Sequence, residues 1–372
     1  MAKTDLEKQY NYLRHALSQD KKPLAFLLSA GCSQAVKDTE GKPLIQGIEQ
    51  LTKNIIQMLP SSIKNDAEKI VKELEADGDK NPNIELILNH IRALKQVIKS
   101  SEINGFNKKK LEELDKTICD KITETMTKDL PANAAHYGLA SWIGAIYRDY
   151  PIQIFTTNYD LLIEQAFENK RIPYFDGFIG SHKAFFDLHA IEEEKLPNRW
   201  VRLWKMHGSI NWSFDEKQRV IRSCADSTNC KVIHPSHLKY DESRKMPYLA
   251  MADRLKHFIR QQNAVLFISG YSFRDIHINS NILDCLQANP SGMAFALLFE
   301  EMEKNKECIE LSKKIKNFNV LSKSGGIIGG KEFDWKGDKG EEKKEQVDFK
   351  LGDFNEFCLF LSEIAGEEKN EE

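Results

Sequence analysis

The chain has 372 residues, of which 41% are hydrophobic and 29% charged, and its formal net charge is −3. These values fit a folded protein with a sizeable core and exclude a chain too polar to fold. They leave no basic excess for a broad nucleic-acid-binding face, so no direct nucleic-acid partner is expected. The length allows two domains, or one large α/β domain with an insertion.

The seven cysteines show no CxxC spacing. A disulfide framework is therefore not expected, and a reducing compartment fits. Residues 1–20 are polar and carry no apolar run of signal-peptide length. No stretch approaches the roughly 20 apolar residues of a membrane span. A cytoplasmic protein without a membrane partner is the expectation.

In chain order, the first strong element is 23–29 (PLAFLLS), a continuous apolar run of the kind buried on both faces. Residues 35–149 read as an inserted, mostly helical module. In it Ile48, Leu51, Ile55 and Leu59 share one helical face. So do Ile84, Ile87, Leu88, Ile91 and Leu94, and then Leu111, Leu114, Ile118 and Ile122. Asn81-Pro82-Asn83 supplies a turn and a cap for the middle helix. Lys108-Lys109-Lys110 reads as a solvated loop. Residues 132–147 lead as a helix into the next strand.

The following strands are 152–156 (IQIFT), 201–206 (VRLWKM), 264–269 (AVLFIS) and 294–299 (AFALLF), with 319–322 (NVLS) as one more. Between them, 169–198 is irregular and reads as a substrate-side loop. Residues 324–345 suggest a hairpin or mobile loop, 349–364 a closing helix, and 366–372 an acidic tail. The fold class is α/β, a Rossmann-like parallel sheet flanked by helices. Its core is residues 1–34 and 150–365, with 35–149 inserted.

Four strands end in small or polar residues, where a doubly wound sheet binds its ligand. The first ends in Ser29-Ala30-Gly31-Cys32-Ser33. Small residues there let backbone approach a phosphate, although a plain strand-to-helix turn looks the same, and GxGxxG is absent. The second ends in Thr156-Thr157-Asn158-Tyr159-Asp160. Helix capping accounts for one of these polar side chains but not for several together. The third ends in His207-Gly208, where an imidazole can serve as a general base or as an ordinary structural residue. The fourth ends in Gly270-Tyr271-Ser272-Phe273-Arg274-Asp275, equally readable as a capped turn.

Taken in order, these segments resemble the sirtuin-like superfamily, whose pattern runs GAGxS, TxNxD, HG and GxS. The matches are Ala30-Gly31-x-Ser33, Thr156-x-Asn158-x-Asp160, His207-Gly208 and Gly270-x-Ser272. TTNYDxLIE and GYSFRD are similar to the bacterial sirtuin-like NAD+ hydrolases of antiphage defence. The resemblance implies that Ala30, Gly31 and Ser33 line the NAD+ phosphates. By it, Asn158 holds the nicotinamide ribose and positions a water, with Thr156 beside it, and Asp160 contacts the carboxamide. It makes His207 the base and sets Gly270 and Ser272 on the adenosine side. NAD+ is then a substrate, and no metal is required.

Two departures narrow the reaction that the resemblance implies. The paired CxxC zinc module of protein-deacylating sirtuins is missing. Only Cys224 and Cys230 lie in that interval, with His234 and His237 nearby, which is not a four-ligand structural site. The GIPDFR-type loop is replaced by Gln34-Ala35-Val36-Lys37-Asp38, and Ser29 stands where the family has Gly. Water is then the natural acceptor. The implied protein is an NAD+ hydrolase of abortive infection, a homo-oligomer controlled in trans by a HerA-like hexameric ATPase or, secondarily, an Argonaute-type protein. A deacylase or ADP-ribosyltransferase, and a non-catalytic NAD+ or ADP-ribose sensor, are the alternatives.

Overall fold

The computed structural model of the chain describes residues 2–98, 102–217, 219–222, 247–336 and 348–366. The strands are β1 (Ala2–Asp5), β2 (Leu24–Leu28), β3 (Gln153–Thr156), β4 (Tyr174–Phe175), β5 (Phe178–Ile179), β6 (Ala184–Phe186) and β7 (Val201–Lys205). They continue with β8 (Trp212–Phe214), β9 (Val220–Arg222), β10 (Val265–Ser269), β11 (Met293–Leu297), β12 (Phe318–Leu321), β13 (Gly325–Ile328) and β14 (Lys331–Lys336). The helices are α1 (Leu6–Ser18), α2 (Ala30–Ala35), α3 (Ile48–Met58), α4 (Ser61–Ala76), α5 (Ile84–Val97), α6 (Lys108–Met126) and α7 (His136–Ala145). After them come α8 (Leu162–Asn169), α9 (Leu188–Glu193), α10 (Tyr248–Arg260), α11 (Ile276–Ala288), α12 (Lys306–Lys314) and α13 (Phe354–Ile364).

Among the described residues, ten strands make one sheet in the order β1-β14-β13-β12-β11-β10-β2-β3-β7-β4. From β12 to β4 all neighbours are parallel. The chain begins this core at β2, steps outward through β3 and β7, then crosses back to β10, β11 and β12. That is a doubly wound sheet whose order reverses between β2 and β10, so its ligand crevice belongs at their carboxyl ends. The hairpin of β13 and β14 turns at Gly329-Gly330 and adds an antiparallel edge, on which β1 pairs in parallel.

The apolar runs are continuous because both faces of each strand are covered. Leu24, Phe26 and Leu28 join Ile154, Leu203 and Phe267 in the core on one face. Ala25 and Leu27 join Phe155, Trp204, Leu266 and Ile268 on the other. Helices α3 to α6 pack on one another and extend the first of these cores. Their buried positions include Leu51, Ile55, Ile87, Ile91, Leu111, Leu114, Ile118 and Ile122, as the helical spacing predicts. Asn83 caps α5 by accepting from the Leu86 amide at 3.0 Å. Helix α7 packs against α8 and α13, and its Trp142 meets Phe26 edge-on at 5.8 Å.

Three segments differ from the sequence expectation. Lys108, Lys109 and Lys110 are exposed but helical, because Asn107 accepts from the Lys110 amide at 3.0 Å and starts α6 there. The polar N-terminus forms α1, which buries Leu6, Leu13 and Leu17 behind an otherwise charged surface. The irregular stretch 169–198 contains β4, β5, β6 and α9, and a small antiparallel sheet runs β5-β6-β9-β8. Cys224, Cys230, His234 and His237, and the acidic tail at 367–372, lie outside the described residues. Among the described residues no helix is long and apolar enough to cross a membrane.

Candidate active site

Two glycines knit the crevice at the strand-order reversal. The Gly31 amide donates to the Gly270 carbonyl at 2.9 Å, and the Ser29 amide to the Ser269 carbonyl at 3.1 Å. A Cβ on Gly31 would lie 2.6 Å from the Gly270 Cα, and one on Gly270 would lie 2.5 Å from the Cys32 nitrogen. Gly270 also has φ +65°, a left-handed conformation that suits glycine. These glycines are needed first for the approach of the two loops to each other. Ala30, which starts the short helix α2, is exposed.

Next to this joint, the second motif forms a directed hydrogen-bond chain. Asn158 Nδ2 donates to the Ser29 carbonyl at 3.1 Å and to Ser33 Oγ at 2.8 Å. A backbone carbonyl only accepts, so the orientation of the amide is fixed. Ser33 Oγ in turn donates to Asp160 Oδ2 at 2.7 Å. Asp160 Oδ1 accepts the Leu162 amide at 3.1 Å and holds the start of α8. The backbone N–H of Asn158 donates to Thr156 Oγ1 at 3.1 Å. Among the described residues, the Oδ1 atom of Asn158 takes no hydrogen bond, and it is not sealed from solvent. It is thus a positioned acceptor at the crevice, while Asp160, 3% exposed, is interior.

A buried ion pair supports the same turn. Lys205, the last residue of β7, is 1% exposed and reaches Glu164 Oε1 at 2.8 Å as well as the Asp160 carbonyl. Burial raises the Glu164 carboxyl pKa, and Lys205 pulls it back down. The 201–206 run reads as an apolar strand, and nothing in that pattern marks Lys205 as a lysine sealed inside it. Cys32 lies close by, but burial pushes its thiol up to about 12, which removes it as a thiolate nucleophile at neutral pH.

The third and fourth motifs meet in a separate pair. His207 Nε2 lies 3.1 Å from Asp275 Oδ2, and both side chains are partly open to solvent. A carboxylate accepts, so Nε2 carries the proton in the neutral ring and Nδ1 holds the lone pair. Asp275 is itself fixed, because its Oδ1 caps α11 through the His277 and Ile278 amides at 2.9 and 3.2 Å. The Tyr159 ring lies 6.5 Å from that of His207, and its hydroxyl donates to Glu85 of α5 at 2.8 Å. The helical layer therefore touches the second motif directly. Ser272 is exposed between buried Tyr271 and Phe273.

The fold thus brings Ser33, Thr156, Asn158 and Asp160 into one network and sets Gly31 against Gly270. His207 belongs to the neighbouring pair. Asp275, Glu164, Lys205 and Glu85 were not singled out in the sequence. Asp275 and Glu164 lie inside the quoted segments GYSFRD and LIE, and only their partners distinguish them.

No curated protein matches the sequence. Among solved structures, cytosolic 5′-nucleotidase IIIB bound to cytidine aligns over 82% of this chain and 81% of that one, at 12% identity and a TM-score of 0.30. At that TM-score nothing is inherited from it. The family model described as SIR2-like domain matches residues 152–320, which span β3, β7, β10, β11 and most of β12, and this match supports a sirtuin-like core for the chain.

Proposed function

We propose that the chain hydrolyses NAD+ to nicotinamide and ADP-ribose. The observation that carries this reading is the fixed polarity of the Asn158 amide. Both of its donor contacts are satisfied inside the protein, which leaves Oδ1 as an acceptor at the crevice. Such an acceptor can hold a ribose hydroxyl or orient a water. Loss of nicotinamide develops oxocarbenium character on the ribose, so the site must orient that sugar and deliver a nucleophile. His207, with Nδ1 as its lone-pair nitrogen and Asp275 holding Nε2, supplies a base for the hydroxyl or the attacking water. Asp160 serves as the support of Asn158 and Ser33. The SIR2-like match is consistent with an NAD-utilising enzyme.

On the same reading, Ala30, Gly31 and Ser33 face the phosphates, Gly270 and Ser272 the adenosine side, and NAD+ depletion serves antiphage defence. The partner is a HerA-like ATPase acting in trans on a homo-oligomer, with residues 35–149 as the cover or assembly face. The Tyr159–Glu85 contact supports that last assignment.

The test is mass spectrometry of NAD+ incubated with wild type, Asn158→Ala and His207→Ala, each with and without the partner ATPase. Wild type should yield nicotinamide and ADP-ribose without any acylated peptide, and both variants should lose the activity. Nicotinamide release that depends on an acylated peptide would point to the deacylase. Unchanged turnover in either variant would overturn the residue assignment.

A further inference from the structure

Behind Asp160 lies a buried imidazole that the reaction as described does not use. His136 opens α7, is 3% exposed, and stands edge-on to Phe354 of α13 at 5.0 Å. Its Nδ1 atom is buried and has no hydrogen-bond partner among the described residues. A buried polar nitrogen in that condition needs an explanation, since nearly all such groups are satisfied. His136 lines a small, partly enclosed cavity of about 10 Å³ together with Ser33, Thr156, Asn158 and Asp160. That volume matches a single water, and the lining supplies the two to four polar partners that a buried water takes. Burial holds the ring pKa down at about 4, while the Asp160 charge works in the opposite direction. The ring is therefore neutral at ordinary pH and within electrostatic reach of that carboxylate.

We propose that His136 is a positioning residue of the active site, joined to Asp160 through one buried water in this cavity. Nδ1–H donates to the water, and the water donates to Asp160. The water completes the support of a carboxylate that already accepts from Ser33, so His136 acts through Asp160 and Ser33 on the Asn158 amide. The chain of contacts then runs from α7 to the crevice without His136 touching substrate. The kinetic part of this proposal rests on the reading that Asn158 faces NAD+. The water itself does not depend on that reading.

Three substitutions separate positioning from packing. In His136→Asn the side-chain amide can take the place of Nδ1. In His136→Gln the polar atoms reach the Nε2 position instead, and His136→Phe keeps the ring with no polar atom. With the full chain and its partner ATPase, Gln and Phe should lower kcat for NAD+ by about 10- to 100-fold with KM little changed, since small misplacements of a reacting group cost that much. Asn should recover most of the loss. Equal kcat in all three variants would overturn the proposal, and so would equal losses that track a common fall in thermal stability. A high-resolution crystal structure of the wild type gives an activity-independent readout. It should show one water within hydrogen-bond distance of His136 Nδ1 and Asp160, and a dry cavity would sink the idea even if NAD+ were hydrolysed. Should wild type fail to hydrolyse NAD+ while the water is present, the functional reading fails and the bridging contact stands.

Discussion

The two halves of the candidate site are built on opposite plans. Around Asn158, the supporting polar groups are buried and spend their hydrogen bonds on one another, from Ser33 to Asp160, while the Asn158 Oδ1 atom stays open. Around His207, the imidazole and Asp275 are both partly open, and Ser272 is exposed. The closed half fixes a geometry and meets a solute through the Asn158 Oδ1 atom. The open half can exchange protons and ligands but relies on its neighbour for registration. A reaction that needs a held sugar and a mobile proton would use one half for each task.

The contrast breaks most visibly at Lys205. Lys205→Met should destabilise the fold by about 3–5 kcal/mol, because it leaves the Glu164 carboxylate buried without its cation. Adding Glu164→Leu should restore much of the loss. Chemical denaturation of the single and double variants checks this, and an additive double variant would mean that the pair is not coupled.

The closed half should also be the acid-sensitive one. The His136 pKa is held at about 4 in the fold against 6.5 for an ordinary imidazole, mainly by burial. The unfolded chain therefore binds a proton that the folded one refuses between those values. Stability from this group is complete above pH 6.5 and falls as the pH drops toward 4, by a total of about 3 kcal/mol. The stability–pH profile of His136→Asn should lack that decline. An identical slope in both proteins would place the acid sensitivity elsewhere.

Smaller effects are expected in the open half. Asp275→Asn removes the acceptor that sets the His207 tautomer and should lower NAD+ turnover by about 10- to 100-fold, with a change in the pH–rate profile that a purely structural defect would not produce. Ser272→Ala should shift stability by less than about 0.5 kcal/mol, as an exposed substitution does. Its KM for NAD+ should move by only a few-fold. A large kcat effect there would mean that the open half does more than receive the adenosine side.

The sequence revealed the frame of this site better than its supports. Continuous apolar runs mark strands covered on both faces, and β2, β3, β7, β10, β11 and β12 appear within a residue or two of the predicted runs. The four strand ends are legible because polar clusters after buried strands are uncommon. The roles inside the clusters are not legible, because hydrogen-bond direction depends on partners far away in the chain. Asp160 and Asp275 look alike as letters, yet one is interior beneath Ser33 and the other stands behind His207. Lys205 was hidden for a related reason. Its charge contradicts the apolar pattern around it, and only the fold brings Glu164 to meet it. His136 sits in a helix whose burial is plain from its apolar neighbours, but a water-sized cavity leaves no trace in composition.

The contact of Gly31 with Gly270 constrains how this chain can vary. Most crowded pairs in a protein admit a trade, in which one side chain grows as its neighbour shrinks. Here both partners are already the smallest residue, so no reciprocal exchange exists. Genetic suppressors of Gly270→Ala should therefore not arise at position 31. They can come only from changes that part the two loops, and parting them opens the crevice whose floor they form.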